Sequence, residues 1–98
     1  MALSGRMDAE SAPQFDEQCN ICIAEGLEVL VADLGELTYV SSMGLRSFVA
    51  AAKALREKGG ELRLCRLRGL VKQVFEITGL IRSFSVYESP DAAVLGGQ

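Results

Sequence analysis

The 98-residue chain has no histidine, no tryptophan, two prolines, three cysteines and no apolar run near the ~20 residues that a membrane-crossing helix needs. Each absence removes a class of chemistry. Without imidazole, no serine has the usual general base, and no zinc site can be completed by histidine. No Gly-x-Ser-x-Gly elbow and no Gly-x-x-x-x-Gly-Lys phosphate loop is present. Lys53 and Lys72 are the remaining candidate bases, and nothing in the pattern brings either to a serine. The reading is a protein that is not an enzyme and carries no cofactor or metal. Three cysteines are an odd number, against a disulfide framework, and Cys19-x-x-Cys22 falls within a helical pattern. These read as buried thiols. Asp8 and Glu10 follow too soon after Met1 for a secretory signal, so a cytoplasmic, non-membrane protein is expected.

What is present is unevenly charged. Residues 1–41 hold eight acids and one base, a net of −7, whereas residues 42–72 hold eight bases and two acids, a net of +6. That basic stretch is either a solvated helix and strand face or a surface that steers an acidic protein partner. Nucleic acid is disfavoured, because no aromatic residue interleaves with the bases and the pI is about 4.9.

At this length one domain with one modest core is expected, about 60–70% of the unfolded surface being buried. Phe15, Cys19, Cys22 and Ile23 recur at helical spacing, with Asp8 and Ser11 as candidate caps and Gly26 as a stop. Glu28–Leu34 is an apolar run suited to a strand covered on both faces. A short loop then leads to Ser41 and Ser42 at the start of a helix whose stripe is Leu45, Phe48, Val49, Ala52 and Leu55, ended by Gly59-Gly60. Leu62 and Leu64 alternate with Glu61 and Arg63 in a strand. Leu67, Leu70, Val71, Val74, Phe75 and Thr78 form a third helical stripe that Gly79 stops. Phe84–Tyr87 suggests a last strand, and Ser89-Pro90-Asp91 opens a final short helix. Strand and helix alternate as in an α/β layer with right-handed crossovers. A stub, Met1–Ser4, precedes a turn at Gly5-Arg6-Met7-Asp8. Such a stub leaves one sheet edge poorly covered, so the expectation is either that further amino-terminal sequence completes the edge or that a second copy of the chain covers it.

These elements and their loops carry a family resemblance. The matching segments are Leu3-Ser4-Gly5-Arg6-Met7-Asp8, Val31-Ala32-Asp33-Leu34, Leu37-Thr38-Tyr39-Val40-Ser41-Ser42-Met43-Gly44-Leu45, Gly59-Gly60-Glu61-Leu62-Arg63-Leu64, Val74-Phe75-Glu76-Ile77-Thr78-Gly79-Leu80 and Ser89-Pro90-Asp91-Ala92-Ala93. In this order, over nearly the whole chain, they resemble the STAS domain family, specifically the bacterial anti-sigma factor antagonists. The resemblance implies a single STAS domain over residues 1–98. Its fold is α/β, with one mixed, mostly parallel sheet, helices packed chiefly on one face and a truncated or short first strand.

It also implies a function. The unphosphorylated domain binds an anti-sigma factor that is a serine kinase, which frees a sigma factor. The kinase then phosphorylates the domain and releases it, and a serine phosphatase resets it. The family loop usually reads Asp-Ser-Ser-Gly-Leu, with phosphate on the first serine; Gly44 and Leu45 fix the register, so that serine is Ser42, with Ser41 as the alternative acceptor. Ser41 stands where aspartate is usual, and Met43 replaces the second serine. A STAS scaffold that is never phosphorylated, transporter-associated or regulating secretion, is the competing expectation. Candidate partner-binding residues are Asp8, Ser41, Ser42, Met43, Gly44 and Arg46. Asp8 is either a partner contact or a plain helix cap. Met43 offers an adaptable apolar contact or packs inward. Arg46 meets an acidic partner group or lies along the surface. Asp33 closes the central strand within reach of loop amides. Homodimerisation through the first strand stays open at this point.

Overall fold

A computed structural model describes residues 1–96. The chain runs β1 (Ala2–Met7), α1 (Ala12–Ala24), β2 (Val29–Val40), α2 (Ser42–Glu57), β3 (Glu61–Cys65), α3 (Gly69–Ile77), a 3-10 turn (Leu80–Ser83), β4 (Ser85–Tyr87) and α4 (Pro90–Leu95). The strands lie in the order β1-β2-β3-β4, and each neighbouring pair among the described residues is parallel, in line with the mostly parallel sheet expected. Sequential parallel neighbours joined by helical crossovers of one hand put α1, α2 and α3 on one face. Side chains alternate accordingly. Leu62 and Leu64 point into that helical layer, while Arg63 points the other way and donates from Nη1 to Ala93 O of α4 at 2.8 Å. The short α4 therefore covers the opposite face, capped by Ser89 Oγ, which accepts from Ala92 N–H at 3.1 Å.

The first two strands are longer than the sequence pattern suggested. β2 does not stop at Leu34; it runs on through Thr38, Tyr39 and Val40, whose β-branched and aromatic side chains favour a pleated surface. Its partner, β1, likewise continues through Met7, pairing Arg6 with Tyr39 and Met7 with Val40. The register shifts between Gly5 and Arg6, and Gly5 takes a φ of +72° that suits glycine. The Arg6 guanidinium lies 4.1 Å from the centre of the Tyr39 ring. The turn expected at Gly5–Asp8 consequently falls later, between Asp8 and Ser11.

The core is an aromatic chain between sheet and helices. Phe15 of α1 meets Phe48 of α2 edge-on with ring centres 5.0 Å apart; Phe48 meets Phe75 of α3 at 5.9 Å, and Phe75 meets Phe84 at 5.6 Å. Leu30, Ala32, Leu34, Leu62 and Leu64 form the floor beneath them. Burial of Phe48 against neighbours on both sides fixes the rotation of α2, and with it the residues that α2 turns outward.

Cys19 packs in this core, and burial, reinforced by the neighbouring Cys22 and Asp16, pushes its thiol up to about 12. A thiol held protonated is neither a nucleophile nor a metal ligand. Cys19 is accordingly packing, and Cys22, half-buried one turn on, packs against the same core. No helix among the described residues is long and apolar enough to cross a membrane.

Candidate functional site

The junction between β2 and α2 is held from two directions. Ser41 is extended (φ −93°, ψ 174°) and its N–H donates to Met7 O at 2.9 Å, tying the junction to the end of β1. Its Oγ accepts from Gly44 N–H at 3.2 Å, and its carbonyl accepts from Leu45 N–H at 2.9 Å, the first bond of the helical ladder. Ser41 is thus the N-cap of α2. The amides of Ser42 and Met43 lie ahead of the first intrahelical bond and aim outward, where the helix carries about half a positive charge. Serine, asparagine and aspartate cap about equally well, so serine in place of the usual aspartate keeps the cap and gives up only the charge. A Ser41→Ala variant is expected to lose about 1 kcal/mol of stability, read as a lower urea midpoint at unchanged slope.

Ser42, the first residue of α2, is exposed, and so are Met43, at 46%, and Arg46. Met43 therefore does not pack inward. Gly44 differs from the other candidate contacts, because it is buried. A Cβ at this position would stand 2.4 Å from Met7 O and 2.8 Å from Met7 Cγ. Gly44 serves the site by letting α2 approach β1, and its side is closed to a partner.

Asp8 sits immediately after Met7, beside this junction. Its Oδ1 accepts from Glu10 N–H at 3.1 Å and Ser11 N–H at 3.2 Å, while Arg6 Nε donates to Oδ2 at 3.3 Å. The Ser11 amide, then that of Glu10, holds the Asp8 carboxyl below the usual carboxylate range, so it stays ionised. Ser11 occupies the N-cap position of α1, yet its hydroxyl caps nothing there. It accepts from Asp8 N–H at 2.9 Å and donates to Arg6 O at 2.6 Å. Asp8 and Ser11 lock each other, and a short rigid turn flanks Ser42 as a result.

Two features were not visible in the sequence. The first is an open groove of about 480 Å³ between α1 and α2, with Cys19 and Ile23 on one wall and Met43, Ala50 and Ala54 on the other. Asp16 and Arg46 stand along it, and its lining on α2 begins at Met43, the residue after Ser42. The alanine run of α2 is the signal that could have marked it, since small side chains leave room between packed helices.

The second is a clamp at the carboxyl end of the sheet. Asp33 accepts from Gly35 N–H at 3.0 Å, as its position suggested, and receives a two-pronged contact from Arg66 at 2.8 and 2.9 Å. The Arg66 guanidinium, foremost, holds the Asp33 carboxyl low. Arg68 forks onto Gly35 O at 2.9 and 2.6 Å. Together with Arg63, which bonds Glu61 and Ala93 O, these arginines serve the fold. The basic surface that remains is narrower: Arg46, Lys53, Arg56 and Lys58 on and just after α2, and Lys72 on α3, all exposed.

This arrangement is a small parallel sheet that presents a hydroxyl at a helix start, and comparison with known proteins agrees with it. The STAS domain model matches residues 1–93, and the chain belongs to the STAS domain family. It is 41% identical to BtrV of Bordetella bronchiseptica over 91 residues, which make up 93% of this chain and 78% of that protein. It is 42% identical over 79 residues to the anti-sigma-B factor antagonist of Listeria monocytogenes, covering 80% of this chain and 68% of the relative. Among solved structures, the anti-sigma factor antagonist SpoIIAA in its unphosphorylated form superimposes with a TM-score of 0.74 at 15% identity, covering 96% of this chain and 82% of the other. The phosphorylated form of this Bacillus cell fate determinant superimposes equally well, with a TM-score of 0.74 at 18% identity over 95% of this chain and 84% of the other.

Proposed function

We propose that this protein is an anti-sigma factor antagonist working as a single STAS domain in the cytoplasm, as ligand and substrate rather than as catalyst. Unmodified, it binds an anti-sigma factor with serine kinase activity and so releases a sigma factor. Transfer of phosphate from ATP to Ser42 ends that association, and a serine phosphatase restores it. The observation that carries the reading is the division of labour between the two serines. Ser41 is half-buried with its hydroxyl engaged as the cap, whereas Ser42 stands exposed on the first turn with unbonded amides beside it. The name of the Listeria relative and the identity to it support the partner class.

The docking surface in this reading is the exposed face around the junction: Ser42, Met43 and Arg46, with the Asp8 turn at its border. Phosphate at Ser42 adds about −1.5 to −2 charge where amides and the helix end tolerate it, so the domain stays folded. A partner seated on the hydroxyl does not tolerate it. The test is incubation with the cognate kinase and ATP followed by mass spectrometric localisation of the phosphate. Phosphate on Ser42, absent from a Ser42→Ala variant and retained by Ser41→Ala, is the expected result. Modification of Ser41 alone, or of neither serine, refutes it.

A further inference from the structure

We propose that Arg46 is the built-in counter-ion of a phosphate on Ser42, so that modification both adds negative charge at the junction and withdraws a positive charge from the α1–α2 groove. The inference rests on the reading of Ser42 as the modified residue and extends it to the regulation of the same surface.

The geometry begins with spacing. Ser42 and Arg46 are four residues apart on α2, one above the other on one face, and both are exposed. Helical side chains lean toward the amino terminus, so the three-methylene stem of Arg46 is directed back over the turn that holds Ser42. Gly44 has no side chain, Leu45 packs against the core and Ser47 is buried, so the exposed neighbour on this turn is Met43, which lines the groove beside Arg46. The order also suits the pair, with the anion on the amino-terminal side of the cation and next to the positive helix end.

Availability is the second point. Among the described residues the ion pairs are Arg6 with Asp8, Arg63 with Glu61 and Arg66 with Asp33. Among these residues no carboxylate lies within 4.0 Å of the Arg46 guanidinium; Asp16, across the groove on α1, lies beyond that distance. Of the arginines near the sheet end, Arg63, Arg66 and Arg68 are committed to the fold, and Arg46 alone stands beside the junction unengaged. A guanidinium fork matches two phosphate oxygens, and the free Ser42 and Met43 amides offer donors to the same group.

The consequence is a two-part change from one modification. In the unmodified protein Arg46 projects along the groove and is open to a carboxylate of the docked partner. In the phosphorylated protein the guanidinium turns back onto the phosphate, the partner carboxylate loses its counter-ion, and it meets a dianion in addition.

The experiment uses the full chain with phosphoserine placed at position 42 during translation, which needs no kinase. The phosphorus resonance is titrated between pH 5 and 8. Arg46→Ala is expected to raise the second pKa of the phosphate by about 0.3 pH units or more, the size of a helical i,i+4 ion pair. Arg46→Lys is expected to recover part of that shift, since charge survives without the fork. Lys53→Ala, eleven residues along the helix, should leave the titration unchanged. Equal titration of the Arg46→Ala and parent phosphoproteins overturns the proposal, and so does an equal shift in Lys53→Ala, which would reveal general surface charge. A Ser42 that the kinase never modifies would show in the mass spectrum and leaves this titration intact, so the two readings fail separately.

Discussion

A Ser42→Glu variant is expected to bind the partner kinase about a hundredfold or more weakly than the parent protein, with its melting temperature unchanged or slightly raised. The two halves of that expectation come from opposite sides of one residue. Toward the protein, a carboxylate at the first turn of α2 meets the unbonded amides of Ser42 and Met43 and the positive helix end, which contribute a few tenths of a kcal/mol to about 1 kcal/mol of stability. Toward the partner, the same carboxylate enters an interface shaped for a hydroxyl, and an unmatched buried charge costs several kcal/mol. Ser42→Ala separates size from charge: it should bind within a few-fold of the parent and resist release by ATP. Calorimetric titration with the kinase gives the affinities, and thermal unfolding gives the control. If Ser42→Glu binds as tightly as the parent, the interface lies elsewhere on the domain, and the phosphate-free scaffold expected as the alternative gains the ground.

How far the sequence could be read follows the range of the interactions concerned. The serine junction was legible because its signals are local: an apolar strand, Ser41-Ser42 and a helical stripe beginning at Leu45 lie within twenty residues. The cap at Ser89 and the stop at Gly79 are equally local, and both stand where the pattern put them. The extension of β2 to Val40 was not legible, because Gly35 interrupts the alternation and the strand is held there by pairing with β1, thirty residues earlier. Long-range pairing overrode the local break signal. The same distance in sequence hides the Asp33–Arg66 clamp, and it changes the meaning of the basic stretch. Eight bases in a row of elements suggested one face, yet Arg63, Arg66 and Arg68 are spent on carbonyls and carboxylates of the fold. Ser11 shows the converse. Its position before a helix reads correctly as an N-cap, but its hydroxyl is taken by Asp8 N–H and Arg6 O, a local competition that residue type alone does not decide.

The second large effect concerns Gly44. Replacing a helical glycine by alanine ordinarily stabilises by up to about 1 kcal/mol, because the backbone loses less freedom on folding. At position 44 the opposite sign is expected, with a net loss of about 2 kcal/mol. The added methyl would stand 2.4 Å from Met7 O, and that carbonyl cannot simply turn away, since it accepts the Ser41 N–H bond that anchors the junction. Met7 is itself 2% exposed, so its side chain has little room to give. Relief must come from moving the first turn of α2 off the end of β1, which loosens the Met7–Ser41 bond and shifts Ser42 with it. Urea unfolding should show a lower midpoint at unchanged slope. For a domain of ordinary stability, about 5–15 kcal/mol, the variant still folds, so its kinase affinity can be measured on folded protein. That affinity should fall as well, although Gly44 touches no partner, because the hydroxyl and Met43 are displaced together. A Gly44→Ala protein as stable as the parent would show that α2 does not approach β1 this closely, and the rigid placement of Ser42 between Ser41 and the Asp8 turn would lose its basis.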